Sequence, residues 1–191
     1  MEIKYLFPTF LAEEHILVDN EKIERYCYQR KDSEPSVGMT NYNGWHSEHF
    51  DPWIPELKDL TTIVDLKLKE VCEHIDFGVS AKADNCFINI NGQGAYHTLH
   101  DHPGSFLSAV YYVNANRYRG DLVLHNADRM LSWHQNSGKI RKYNALNSST
   151  WTISGDTGKL LIFPAWLKHE VRPNLTVDDR ISIVYNCHML G

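Results

Sequence analysis

Two short segments about 70 residues apart hold the side chains best suited to chemistry. They are His100-Asp101-His102-Pro103 and His169-Glu170-Val171, and eleven residues beyond His169 comes Arg180-Ile181-Ser182. On an extended segment residues i and i+2 project to one side, so His100 and His102 can grip one metal ion while Asp101 points away. A third imidazole from His169 would complete a facial set of three donors, leaving coordination positions open for exogenous ligands. Open sites of this kind commonly carry two imidazoles and one carboxylate. Three neutral imidazoles remove one negative charge and weaken the electrostatic hold on the cation. Arg180 offers a planar fork of donors with the Ser182 hydroxyl beside it, a pairing matched to a carboxylate in a dry pocket.

Other histidines compete for the metal role. His46-Ser-Glu48, His49-Phe-Asp51 and His74-Ile-Asp76 each have a His two residues from an acid. His74 falls at the end of a helical pattern, where residues i and i+2 diverge around the axis. The other two lie in a loop-like stretch about 120 residues before His169. His97 is a candidate for the pocket around the metal rather than for the metal itself.

The elements that must position these residues change character along the chain. Asn20 to Arg30 places Ile23, Tyr26 and Cys27 on one helical face after an Asp19/Asn20 cap. Leu57 to Ile75 repeats apolar residues at three- and four-residue steps and stops at Phe77-Gly78. Asp32 to Trp53 between them reads as loop, yet holds Trp45, His46 and His49. From about residue 80 short strand-like runs take over: 86–91, 106–113, 120–125, 149–153, 159–163, 168–171 and 181–187. The strand beginning at Arg180 is expected antiparallel beside the one opened by His169, with Arg180, Ser182, Val184 and Asn186 on one face. The polar stretch 129–146 reads as a long hairpin or lid. The expectation is an α+β, mainly β protein whose N-terminal helices pack on one outer sheet face.

At 191 residues, with 42% hydrophobic and 23% charged residues, the chain fits one domain, helical over about 1–78 and β over about 80–190. Net charge is -5 with both signs interspersed, so no footprint for nucleic acid is visible. No run approaches the roughly 20 apolar residues of a membrane span, and the N-terminus lacks a signal-peptide pattern. Cys27, Cys72, Cys86 and Cys187 show no metal-type spacing, which fits a reducing cytoplasm. An edge strand or the aromatic loop around Trp45 offers a surface for a homodimer.

The pattern His100-Asp-His-Pro-Gly-Ser-Phe-Leu-Ser-Ala-Val-Tyr-Tyr-Val113 resembles a small bacterial and phage family within the 2-oxoglutarate/Fe(II)-dependent oxygenases. So do Phe163-Pro-Ala-Trp-Leu-Lys-His-Glu-Val171 and Arg180-Ile-Ser-Ile-Val-Tyr-Asn186, together with Leu6-Phe-Pro-Thr9, Gly44-Trp-His-Ser47 and Phe87-Ile-Asn89. Ala109 stands where the family usually has Gly. The resemblance implies a double-stranded β-helix (jelly-roll) core with Fe(II) held by His100, His102 and His169, the catalytic centre. It implies 2-oxoglutarate as co-substrate on Arg180 and Ser182, with Tyr112, Asn89 and Asn186 as further contacts. The implied reaction hydroxylates a small-molecule or peptide substrate with release of succinate and CO2. Trp45, His46, His97 and residues 129–146 are candidates for the substrate side. Two alternatives stay open on sequence alone: a three-His metal dioxygenase or isomerase that does not use 2-oxoglutarate, and a non-catalytic jelly-roll binding module.

Overall fold

A computed structural model describes residues 1–4, 7–126 and 137–190. The first helix, α1 (Asn20–Ser33), starts where the Asp19 carboxylate accepts from the Lys22 backbone N–H at 3.0 Å. That bond satisfies one of the donors a helix start leaves free. Asp19→Ala is expected to cost about 1 kcal/mol, read as a lower urea midpoint at unchanged slope. The second helix, α2 (Lys58–His74), buries Leu60, Val64, Leu68 and Cys72, one per turn. It ends in paired bonds, Phe77 N–H to the Cys72 carbonyl and Asp76 N–H to the Glu73 carbonyl, with Asp76 at φ 53. This is the Schellman arrangement, with Asp76 rather than Gly78 in the left-handed position.

Among the described residues, eleven strands form two antiparallel sheets. They are β1 (Ala12–His15), β2 (Asn41–Tyr42), β3 (Trp45–His46), β4 (Ala81–Asn91), β5 (Tyr96–His100) and β6 (Leu107–Asn114). The rest are β7 (Leu122–His125), β8 (Thr150–Ile153), β9 (Lys159–Pro164), β10 (His169–Val171) and β11 (Arg180–Met189). The six-stranded sheet has the order β1-β9-β6-β11-β4-β3, and the five-stranded sheet β2-β5-β10-β7-β8. Face-to-face sheets with these crossovers make a double-stranded β-helix.

Strand alternation divides the apolar residues between two cores. Ile88, Ile90, Tyr111, Ile181, Ile183 and Tyr185 face α1 and α2. Phe87, Val110, Tyr112, Leu122, Phe163 and Val184 fill the space between the sheets. The helices therefore cover one outer face of the larger sheet, as the periodicity implied. No helix among the described residues is long and apolar enough to cross a membrane.

Two expectations change. Strands β10 and β11 are not neighbours: β10 pairs with β5 and β7, whereas β11 lies between β4 and β6 in the other sheet. His169 and Arg180 thus face each other across the sandwich. The stretch 32–53 carries the two short strands β2 and β3. Within it Trp45 is buried on the helix side and donates from Nε1 to the Glu34 carbonyl at 3.0 Å. Of the 129–146 segment, residues up to 136 lie outside the described residues. From 137 to 149 the chain forms a three-residue 3-10 turn and irregular structure leading into β8, the antiparallel neighbour of β7.

Candidate metal centre

The three histidines converge, though not by the geometry their spacing implies. β5 ends at His100, and His102 sits in the following loop, tied by its backbone N–H to the Ala165 carbonyl at 2.9 Å. Within β5 the register slips: His100 pairs with His169, but His97 rather than residue 98 pairs with Val171. The extra residue is a β-bulge, which puts His97 and His100 on the same inner side while Thr98 and Leu99 face out. Asp101 turns outward to an ion pair with Lys168 at 3.0 Å.

One ligand nitrogen from each of His100, His102 and His169 lies within 4.8 Å of the others, the only such cluster among the described residues. Hydrogen bonds fix which nitrogen carries the proton. His100 Nδ1 donates to the Thr98 carbonyl at 2.7 Å and His169 Nδ1 to the Leu167 carbonyl at 2.8 Å. A carbonyl only accepts, so both Nε2 atoms present lone pairs. His102 Nδ1 faces Asn186 Oδ1 at 3.0 Å, which leaves its Nε2 unprotonated as well.

His102 Nε2 and His169 Nε2 lie 3.2 Å apart, lone pair towards lone pair. A cation or a shared proton relieves that contact. Burial disfavours the proton, lowering the pKa of His102 to about 4 and of His169 to about 3, with the His100 charge adding in each case. Two imidazoles about 2.1 Å from one metal at 90–110° stand about 3.0–3.4 Å apart. The observed separation fits a metal ion.

Across the sandwich Arg180 is 2% exposed. Its Nη1 donates to Ser182 Oγ at 3.2 Å, and its guanidinium lies 5.0 Å from the Tyr112 ring centre. Arg180 Nε and the Tyr112 hydroxyl are buried without partners, and no carboxylate pairs with Arg180 among the described residues. A buried cation without a counter-ion costs several kcal/mol unless a ligand supplies the anion. The same cavity is lined by Asn89, His97, the three histidines and Ser182, with no acidic side chain among the described residues. The residues present therefore fit a metal at one end and a carboxylate at the other.

The remaining candidates separate cleanly. His46, 2% exposed, and His49 lie against Phe87 with centroids 4.5 and 4.9 Å away, beside the triad rather than in it. His74 is on α2, beyond the helix-side core. His97 donates from Nε2 to Asn91 Oδ1 at 3.1 Å, and burial followed by the Arg180 charge holds its pKa well down. Asn91 in turn donates to Asn41, which donates to Asn89. Sequence reasoning missed Asn41, Asn85 and Asn91. For Asn85 and Asn91 the signal is a polar face shared with Asn89 in a strand whose other face, Cys86, Ile88 and Ile90, is apolar; Asn41 has no such signal.

Solved structures with this fold include a prolyl-4-hydroxylase from Pseudomonas putida, 15% identical, TM-score 0.67, covering 96% of this chain and 94% of that one. A prolyl hydroxylase from Trichoplax adhaerens in complex with a hypoxia inducible factor peptide fragment is 14% identical, TM-score 0.65, with 94% and 83% covered. HygX from Streptomyces hygroscopicus, with nickel and 2-oxoglutarate bound, is 10% identical, TM-score 0.65, with 95% and 83% covered. At these identities the likeness is one of fold. No curated protein matches the chain in sequence. The model of the family described as "Putative 2OG-Fe(II) oxygenase" matches residues 85–186, just over half of the chain, and spans every side chain of the site from Asn85 to Asn186. The chain belongs to the 2-oxoglutarate/Fe(II)-dependent oxygenase family.

Proposed function

We propose that His100, His102 and His169 hold Fe(II), that Arg180 and Ser182 hold 2-oxoglutarate, and that the enzyme hydroxylates a small-molecule or peptide substrate in one domain. The observation that carries this reading is the pairing of three converging Nε2 lone pairs with a buried, counter-ion-free guanidinium across one cavity. Bound together, Fe(II) and 2-oxoglutarate supply the reduction of dioxygen, with release of succinate and CO2.

The chain's own residues bind and orient. Arg180 pairs its fork with the distal carboxylate of the keto acid, with Ser182 as a second donor. Asn89, held by Asn41 at 3.4 Å, presents its amide to the same cavity. Tyr112 has its hydroxyl buried and free to donate to that carboxylate. The apolar walls, Phe87, Val110 and Val184, exclude water. His46 and His49, stacked on Phe87 beside the triad, form the substrate edge. Asn186 serves the metal rather than the keto acid, because its Oδ1 accepts from His102. Four free, buried thiols suit a reducing setting such as the cytoplasm.

The test is anaerobic titration with Fe(II) and 2-oxoglutarate, following the visible charge-transfer band of a keto acid chelated to ferrous iron. A band is expected in the wild type and lost in His169→Ala, together with iron uptake. Iron uptake without a band would move the reading to a three-His enzyme that does not use 2-oxoglutarate.

A further inference from the structure

His102 differs from its two partners in how its proton is placed. His100 and His169 each donate to a backbone carbonyl two residues back, an acceptor that cannot turn round. His102 donates to the side-chain amide of Asn186, and a primary amide can flip to present NH2 instead. A flipped Asn186 would favour the other His102 tautomer, with the proton on Nε2, where it blocks the metal.

The structure shows what opposes the flip. Asn186 Nδ2 donates to Asn85 Oδ1 at 2.8 Å, and Asn85 Nδ2 donates to the Asp84 carboxylate at 2.9 Å. A carboxylate only accepts, so Asn85 must turn its NH2 towards Asp84 and its oxygen towards Asn186. Asn186 then has its NH2 committed, and its oxygen is left for His102. Direction runs one way along the chain, from a surface acid to the proton on His102.

Backbone geometry supports a built device. Asn186 pairs with Asn85, but the next residue, Cys187, pairs with Ala83, so Asp84 is the extra residue of a β-bulge in β4. The bulge switches the faces. Ala81 and Ala83 point to the helix-side core, whereas Asn85 shares the inner face with Phe87 and Asn89. Without it, strict alternation would place Ala83 and Asn85 on the same face. Asn85 is otherwise a costly choice there, a polar side chain at the edge of an apolar sandwich.

We infer that Asn85, anchored by Asp84, is a positioning residue that fixes the tautomer of His102 through Asn186. The inference rests on the reading of His102 as a metal ligand. Groups that orient a ligand through its far nitrogen typically change metal affinity 10- to 100-fold. Asn85→Asp keeps an acceptor facing Asn186, whereas Asn85→Ala removes it.

The experiment measures Co(II) affinity by titration, and the His102 tautomer by long-range 1H–15N spectra of the metal-free protein at pH 7.5. Asn85→Ala should weaken Co(II) binding about 10-fold or more and add the Nε2–H tautomer of His102. Asn85→Asp should bind within about threefold of wild type and keep the Nδ1–H form, a rescue that a merely structural role would not give. Asp84→Asn, at the surface, frees the Asn85 amide to turn and should show the same tautomer mixing, so the inference stays testable if Asn85→Ala does not fold. Unchanged affinity and tautomer in Asn85→Ala and Asp84→Asn would overturn the relay. No Co(II) uptake by the wild type would overturn the metal reading instead, while the tautomer spectra would still decide the relay.

Discussion

Arg180→Met is expected to weaken 2-oxoglutarate binding by about 30- to 4000-fold without weakening the fold. Truncating one partner of a buried, hydrogen-bonded charge pair costs about 2–5 kcal/mol, and each 1.4 kcal/mol is tenfold. Among the described residues Arg180 is the one cation lining the cavity, and its Nε has no partner within the protein. The ligand-free protein therefore carries a desolvated guanidinium that, among the described residues, meets Ser182 Oγ and Tyr112 but no carboxylate. Removing it relieves that burden, so the urea midpoint of the ligand-free variant should equal or exceed that of wild type. Fe(II) uptake should persist, because no ligand histidine bonds to Arg180. Arg180→Lys keeps the charge but not the fork, and should fall between the two. Calorimetry with 2-oxoglutarate and denaturation of the ligand-free proteins check both halves. Undiminished keto-acid binding by Arg180→Met would place the co-substrate elsewhere, and a large loss of stability would make Arg180 a structural residue.

The residues of the candidate site were legible because their chemistry is local to short motifs. His100, His102 and His169 are rare residue types close in sequence or set against apolar strands. Arg180, Ser182, Val184 and Asn186 follow from period-2 alternation alone, and β11 obeys it from Arg180 to Asn186. What alternation could not reveal was every place where the pleat is broken. The bulge at Thr98–Leu99 turns His97 and His100 to one side, and the bulge at Asp84 puts Ala83 on the helix side while Asn85 stays inward with Phe87 and Asn89. Each inserts one residue and reverses the faces beyond it, and neither is marked by Gly or Pro. Sheet membership was equally hidden. His169 and Arg180 are eleven residues apart, a spacing that suits a hairpin, yet the chain crosses from one sheet to the other. The separation of Trp45 from His46 shows the limit most plainly. They are adjacent on β3, and the same alternation that buries one under the helices turns the other to the metal centre.

Acidification should destabilise the metal-free protein steeply between pH 6.5 and 4. Burial lowers the pKa of His102 to about 4 and of His169 to about 3, against 6.5 for an ordinary imidazole. The unfolded chain takes up protons at pH 6.5 that the native state refuses, so it binds more protons throughout that interval. Stability then rises with pH across it, is fully present above 6.5, and is lost as pH falls towards the native values. Each tenfold difference in proton affinity between the two states is worth about 1.4 kcal/mol, so each imidazole contributes on the order of 2 kcal/mol to the loss by about pH 5. The two titrate against each other across 3.2 Å, so the loss belongs to the pair. Urea midpoints at pH 7.5 and 5.0 measure it, and replacing His169 with Leu should flatten the dependence. A midpoint that holds or rises on acidification would mean that the native triad accepts protons readily. Metal adds to the slope in the same direction, since it binds only the unprotonated nitrogens and stabilises the native state by mass action. Wild type loaded with Fe(II) should therefore lose more stability than the metal-free protein over the same interval. Packing three lone pairs together in a dry cavity makes protons and a metal ion competitors, and burial disfavours the proton at neutral pH.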